Sequence, residues 1–235
     1  MHSILEALGL AFELVFSGDA DLLKIVGLSL YVSTAATLIA CLIGIPTGAA
    51  LAVTHFTGRK ACIIFVNALM GLPPVVVGLV VYLYLSRSGP LGFLGLLYTP
   101  TAMIIAQTIL IAPIAIALAR QTMEDLHSEY SEPFRALGLT RRQTVQTLIW
   151  EGRFTLLTVA LAGFGRAIAE VGAVMIVGGN IDNLTRVMTT SIALETSRGN
   201  LPLALALGLV LVTLALLVNA LVQSMRDIAA RQAYV

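Results

Sequence analysis

The sequence predicts an all-α, polytopic membrane bundle of five transmembrane helices, with a short N-terminal interfacial helix and one charged cytoplasmic helix between spans. Three observations predict it. Mean hydropathy is +0.93 over the whole chain, more than a water-facing surface tolerates. Apolar runs of about 20 residues or more recur, the length needed to cross ~30 Å of hydrocarbon. Those runs lack the two-residue alternation of a lipid-facing strand, and a backbone in lipid must satisfy its own hydrogen bonds, so the spans are helices.

The first 20 residues, MHSILEALGLAFELVFSGDA, are apolar but carry no basic leader, and Glu6 and Glu13 lie seven positions apart on one helical face. That spacing predicts an interfacial helix along the membrane rather than a cleaved signal peptide. Five spans follow, over residues 24–53, 62–85, 98–119, 154–178 and 201–223. Pro73 and Pro74 in the second span and Pro113 in the third remove backbone donors, which predicts kinks that suit a cavity wall or a gate. The fourth span carries Arg166 and Glu170 one helical turn apart. Ionisable groups at that depth are costly enough to mark function, either as a pair that satisfies itself or as part of a gate or pathway.

Lys and Arg distribute unevenly between the two sides. Arg59, Lys60, Arg120, Arg135, Arg141, Arg142, Arg153, Arg226 and Arg231 fall on one, and Lys24, Arg87, Arg186 and Arg198 on the other. The richer side is cytoplasmic by the positive-inside rule, which puts the N-terminus outside and the C-terminus inside. No soluble domain fits within the loops, so residues 1–235 read as one transmembrane domain. No internal repeat is visible, and an odd number of spans cannot supply two equal inverted halves. A solute path then has to lie between two copies, which makes a homodimer the economical assembly.

The longest polar break, about residues 121–153, contains EYSEPFRALGLTRRQTVQTLIW. It reads as two short helices divided by Gly138, with Pro133 in an early helical turn and Thr140 as an N-cap. Phe134, Leu137 and Leu139 give it an apolar face beside its charges. A cytoplasmic helix of that kind suits a groove on a partner protein.

Cys41 and Cys62, the only cysteines, sit in or beside apolar spans and read as unpaired packing residues. His2, His55 and His127 lie in separate segments, so no metal site or histidine-based nucleophile is expected. Neither Lys24 nor Lys60 follows a glycine, which excludes a G-x-x-x-x-G-K-[ST] phosphate loop. A basic stripe for nucleic acid is also missing.

Two stretches resemble a known family. Glu132, Gly138 six positions on and Leu148 ten further are similar to the cytoplasmic "EAA" loop of ABC-importer permeases, with Pro133 and Phe134 in place of the two alanines and Trp150-Glu151 where L-P is usual. GRAIAEVGAVMIVGGNI, containing Arg166, Glu170, Gly172, Ala173, Gly179, Asn180 and Ile181, is similar to permeases for molybdate, sulfate and tungstate. Its continuation, TRVMTTSIALETSRGNLPLALALG, looks most like the tungstate branch.

The resemblance implies a permease subunit, not itself an enzyme, that moves a small oxyanion across the cytoplasmic membrane, with tungstate ahead of molybdate or sulfate. Glu132, Arg135, Ala136, Leu137, Gly138, Leu139, Thr140 and Arg141 would be the coupling surface for a separate ATPase. That ATPase would hold ATP and Mg, this chain holding no cofactor, and an extracytoplasmic binding protein would deliver substrate. Pro73, Pro74, Thr108, Arg166, Glu170, Asn180, Thr189 and Thr190 are the pathway or gate candidates; with Gln107, the hydroxyl and amide groups could bond a tetrahedral anion or neighbouring helices. A proton-driven carrier with a titrating Glu170 is the alternative of another class. A membrane-embedded enzyme would need clustered His, Asp or Cys at depth, which the sequence lacks.

Overall fold

Hydropathy decides where a chain enters lipid; proline, glycine and capping side chains decide where its helices stop. The computed structural model describes residues 9, 10, 13 and 20–233, without the side chains of 225 and 227–233, and all its regular elements are helical. The interfacial helix expected over the first 20 residues lies almost wholly outside the described residues.

In chain order the helices are α1 Ala20–Val53, α2 Arg59–Leu69, α3 Pro74–Leu85, α4 Pro100–Ala136, α5 Arg141–Glu151, α6 Arg153–Ile168, α7 Gly172–Gly178, α8 Met188–Ser197 and α9 Leu201–Ala233. A single 3₁₀ turn spans Gly92–Leu94. Three stretches, Ala20–Val53, Pro100–Ala136 and Leu201–Ser224, are long and apolar enough to cross a membrane alone. The pairs α2 with α3 and α5 with α6 qualify jointly as broken spans, for up to five crossings among the described residues.

Several boundaries differ from the sequence reading. The second span is two helices, because Pro73 is extended at φ −64°, ψ 124° and neither it nor Pro74 has an N–H to extend the ladder from α2. The third span does not stop at residue 119. Helix α4 continues through Pro113 and Pro133 for 37 residues, about 55 Å at 1.5 Å per residue, far more than hydrocarbon requires. The charged segment from Arg120 to Ala136 is therefore the projecting end of a spanning helix, and Pro133 stands in its last turn, not in an early one.

The fourth span, expected over 154–178, is broken between Ile168 and Gly172, and the segment expected as the loop 178–200 contains α8. Helix α9 likewise outruns its expected end at residue 223. Side chains from other elements hold the break in the fourth span, and those bonds belong to the site below.

By its contacts the chain divides into two compact units, residues 1–36, 73–107 and 165–221 in one and 37–72, 108–164 and 222–235 in the other. In the first, α3 and α7 meet almost backbone to backbone. A Cβ on Gly78 would lie 2.8 Å from Ala173 Cα, and one on Gly172 3.0 Å from Val75 Cγ2. A smaller cluster there joins Leu22, Met188 and Leu207. The second unit is built on Cys41, Ala49, Ala115, Ala119, Met123, Phe134, Leu148 and Leu156. Within it Gly44 and Gly48, four apart on α1, admit α4: a Cβ on Gly44 would meet Ala115 Cβ at 2.6 Å, and one on Gly48 would meet the Ile116 carbonyl oxygen at 2.6 Å. Small residues at this spacing allow the close van der Waals packing that replaces the hydrophobic effect between helices in lipid.

Cys41 is buried in that core and Cys62 is exposed, and both are free thiols. Arg59 and Arg120 converge on Glu124, and Arg59 Nε donates to the Leu51 carbonyl at 2.8 Å. The end of α1, the start of α2 and the middle of α4 are thus tied together where hydropathy falls.

Gly48→Val should lower the melting temperature of the purified chain sharply, because the obstructing atom is backbone and cannot rotate away; overpacking costs ~1–3 kcal/mol even where side chains can yield. Gly27→Ala, in the same helix with nothing within 4 Å of the new methyl, should leave the melting temperature unchanged or raise it.

Candidate functional site

The first candidate surface grows from the way α4 ends. Gly138 adopts φ 64°, a left-handed conformation that glycine takes without penalty. Its N–H donates to the Arg135 carbonyl at 3.1 Å, and the Leu139 N–H donates to that of Phe134 at 3.1 Å. These are the two bonds of a Schellman end, with Leu139 packed in the core cluster that contains Phe134. Thr140 then caps α5: its hydroxyl accepts from the Gln143 N–H at 3.4 Å, while Gln143 Oε1 accepts from the Thr140 N–H at 2.9 Å. The reciprocal pair satisfies two donors that a helix start leaves open.

This turn is anchored from below and bare on top. Phe134 is buried and stacks on Tyr130 at 5.7 Å and on His127 at 6.4 Å. Glu132, Arg135, Ala136, Gly138, Thr140 and Arg141 are exposed, Leu139 is half-buried, and Leu137 is 74% exposed. Of the three apolar residues expected on one face, two turn inward and only Leu137 faces out. The result is a stiff projecting corner with one apolar knob among charges.

The second candidate surrounds the break between α6 and α7. Arg166 lies in the last turn of α6, and its Nη1 donates to Glu170 Oε2 at 2.6 Å. Glu170, only 4% exposed, stands in the break itself. Its Oε1 accepts from the Ala173 N–H at 3.1 Å, so the same carboxylate neutralises the arginine and satisfies a donor at the start of α7. Its own carbonyl accepts from Thr189 Oγ1 at 2.8 Å. Gln107 Nε2 donates to the Ala167 carbonyl at 3.0 Å, and Ser29 Oγ accepts from the Met188 N–H at 2.8 Å.

Ser29, Ser33, Gln107, Ala167, Glu170 and Thr189 line a cavity of about 10 Å³, room for roughly one water molecule. Gln107 Oε1 is buried without a partner. A tetrahedral anion is too large for this space. What the arrangement does is satisfy the open-ended, buried backbone of the break, using side chains where the helical ladder stops.

The predicted residues therefore separate. Arg166, Glu170 and Thr189 come together. Thr190 bonds locally instead, accepting from the Val187 N–H at 3.0 Å and donating to the Val187 carbonyl at 3.0 Å. Asn180 is left-handed at φ 50°, with Oδ1 buried and unpartnered, and Thr108 Oγ1 is likewise without a partner. Pro73 caps and Pro74 begins α3, whose Val75 packs on Gly172. Ser29, Ser33 and Thr37 are not among the residues the sequence singles out, although their i, i+4, i+8 spacing draws one polar stripe along an apolar helix. Outside the break, Arg186 pairs with Asp182 at 2.9 Å, Arg198 with Glu195 at 2.8 Å and Lys24 with Asp21 at 3.1 Å.

Comparison with known proteins places the whole chain. The tungstate uptake system permease protein of Peptoclostridium acidaminophilum is 43% identical over 227 residues, covering 97% of this chain and all of that protein. A probable anion ABC transporter permease protein of Haloferax volcanii is 42% identical, with 89% of this chain and 94% of that one covered. The tungstate uptake system permease protein of Campylobacter jejuni is 36% identical across 89% and 87% of the two chains. Residues 44–231 match the family described as binding-protein-dependent transport system inner membrane component. With spans of the right length and relatives matched over most of both chains, this chain belongs to that family, as a multi-pass permease subunit of an ABC transporter.

Proposed function

We propose that this permease imports a small oxyanion, tungstate, in a reaction driven by ATP. The observation that carries the reading is the 43% identity along 97% of the chain to a tungstate uptake permease; molybdate, with the same charge and shape, is the competing substrate. Two copies form the path as a homodimer, each a single permease domain, with the N-terminus outside and the C-terminus cytoplasmic. The exposed apolar faces of α3 and α9, with Val76, Leu79, Leu83, Val212 and Leu216, are compatible with a second copy as well as with lipid.

ATP and Mg bind to two separate cytoplasmic ATPase subunits, and an extracytoplasmic binding protein presents the anion. The corner from Glu132 to Arg141 is the surface on which the ATPase acts. Leu137 is the residue offered to its groove, and the charges around it set orientation. The stacking of Phe134 and the Schellman end make the corner stiff, and α4 is continuous from it to Pro100, so displacement of the corner is displacement of a spanning helix. The breaks at Pro73–Pro74 and at Glu170 supply the hinge of the gate; Arg166, Glu170 and Thr189 hold that gate's backbone, while Thr108, Asn180 and Thr190 remain candidates for the path.

Cells lacking this subunit should lose tungstate uptake from trace concentrations by at least about tenfold, and the chain should restore it. Restoration of molybdate but not tungstate uptake would replace the substrate; restoration of neither would refute oxyanion import.

Gly138→Glu should abolish co-purification of the ATPase while the spans still fold, since a residue with a Cβ pays ~1–2 kcal/mol in the left-handed region and the corner loses its shape. Gly138→Asn, which tolerates that region, should retain the complex. An intact, active transporter with Gly138→Glu would remove the corner from the coupling role.

Glu170→Gln and Arg166→Gln should each impair transport or stability, and the double variant should lose less than their sum, by a coupling of ~0.5–3 kcal/mol. Glu170→Ala should be worse than Glu170→Gln, because glutamine still accepts from the Ala173 N–H. Strict additivity would mean that the ion pair holds nothing together.

The purified permease alone should bind labelled tungstate no more tightly than micromolar, as its deep cation is already compensated and a tightly bound solute would not leave. Submicromolar binding in equilibrium dialysis would show a strong intramembrane site.

A further inference from the structure

Helix α5 meets α6 at a bend of 74°, at Gly152. The bend is fixed from one side, since a Cβ on Gly152 would lie 2.7 Å from Met123 Cε and 2.9 Å from Leu126 Cδ1 on α4. On the other side stands Trp150, 66% exposed and the only tryptophan of the chain. The Arg153 guanidinium carbon lies 4.5 Å from the centres of both the Trp150 and the Phe154 rings, and its Nη1 donates to the Trp150 carbonyl at 2.6 Å. None of the ion pairs found among the described residues includes Arg153.

The position and chemistry of this cluster point to one occupant. Arg153 opens the apolar run of α6, and polar α5 precedes it, so the bend sits where hydrocarbon gives way to water, the level at which tryptophan is enriched. Stacking on two rings immobilises the guanidinium in advance, and one bond to a carbonyl leaves most of its five N–H donors for an anion. Arg141 and Arg142 on the preceding helix are exposed and add positive charge; Glu151, also exposed, is the acid next to Trp150 in sequence.

We propose that Trp150 and Arg153 form a lipid-headgroup site, in which Arg153 holds the phosphate of an acidic phospholipid while Trp150 lies at the level of the glycerol. The site pins the α5–α6 bend to the bilayer surface. That gives the corner at Gly138, at the far end of α5, a fixed surface to move against. The inference needs neither the substrate nor the side of the membrane to be as proposed above, because acidic headgroups occur on both.

The single tryptophan makes the test direct. The full-length permease is reconstituted in nanodiscs of unbrominated phosphatidylcholine containing a small fraction of lipid brominated on its acyl chains, with either a phosphatidylglycerol or a phosphatidylcholine headgroup. Trp150 emission should be quenched by both, more by bromines near the glycerol than by those near the methyl end. The relative binding constant should favour phosphatidylglycerol by about fivefold, the worth of one basic residue at a charged surface. Arg153→Gln should bring the two headgroups to parity without changing the depth profile.

Should that variant fail to fold, the wild-type headgroup comparison stands alone, and equal quenching by the two lipids overturns the site. Quenching by aqueous acrylamide with none by brominated lipid also overturns it, as Trp150 would then face water. If the ATPase subunit shields Trp150 from acrylamide in that case, the cluster is a protein-docking surface instead.

Discussion

A backbone in hydrocarbon has no water to bond, and where a helix stops inside the membrane the protein must supply every missing partner. Burial inside the protein imposes the same requirement, and the break at Glu170, 4% exposed, has to meet it. Helix α6 ends in carbonyls, α7 begins with N–H groups, and one carboxylate serves the second while pairing with the last cation of the first. Gln107 bonds the Ala167 carbonyl, and Thr189 bonds that of Glu170. Two of these partners come from elements remote in sequence, so α4 and α8 are committed to the same place by the same requirement. The close approach of α3 to α7 through Gly78 and Gly172 is the packing counterpart of those bonds.

The charged corner obeys the opposite physics. In water its backbone needs no protein partner, yet it is capped at both sides of Gly138 and stacked on Tyr130 through Phe134. A surface loop required only for topology has no need of that stiffness. The coupling role proposed for it does, because a compliant corner would absorb displacement instead of passing it along α4. The same logic explains the Arg59–Glu124–Arg120 group: it braces α4 where the helix leaves the apolar segment, with two cations on one carboxylate.

Local rules were readable and tertiary ones were not. The glycine at the end of α4 and the threonine cap of α5 follow from residues a few positions apart, and the sequence places both correctly. Hydropathy ends the third span at residue 119, but it registers departure from lipid, not the end of a helix, so the 17 further residues of α4 read as a loop with a helix of its own. Ala169-Glu170-Val171 contains neither glycine nor proline. Nothing local announces a break there, since the bonds that stabilise it come from Gln107, Thr189 and the carboxylate's two-sided role. Ser29 illustrates the same limit: its hydroxyl donates to Ile25 in its own helix, as spanning serines do, and also accepts from the Met188 N–H 159 residues away.

The polarity of what remains unsatisfied bears on how an anion could pass. Gln107 cannot turn its amide around without setting its oxygen against the Ala167 carbonyl, so its Nε2 is committed and its Oε1 is the group left over. Its lone pairs repel an oxyanion, and Arg166, the cation at the break among the described residues, has its charge matched at 2.6 Å. In this conformation the network around Glu170 therefore excludes anions as effectively as it holds the helix ends. Passage of the proposed substrate then requires either donors presented by a second copy or a rearrangement that parts Arg166 from Glu170, and the second route exposes a buried carboxylate at the same moment. If the break is the gate proposed above, that penalty would keep the open state brief and tie opening to an external source of energy.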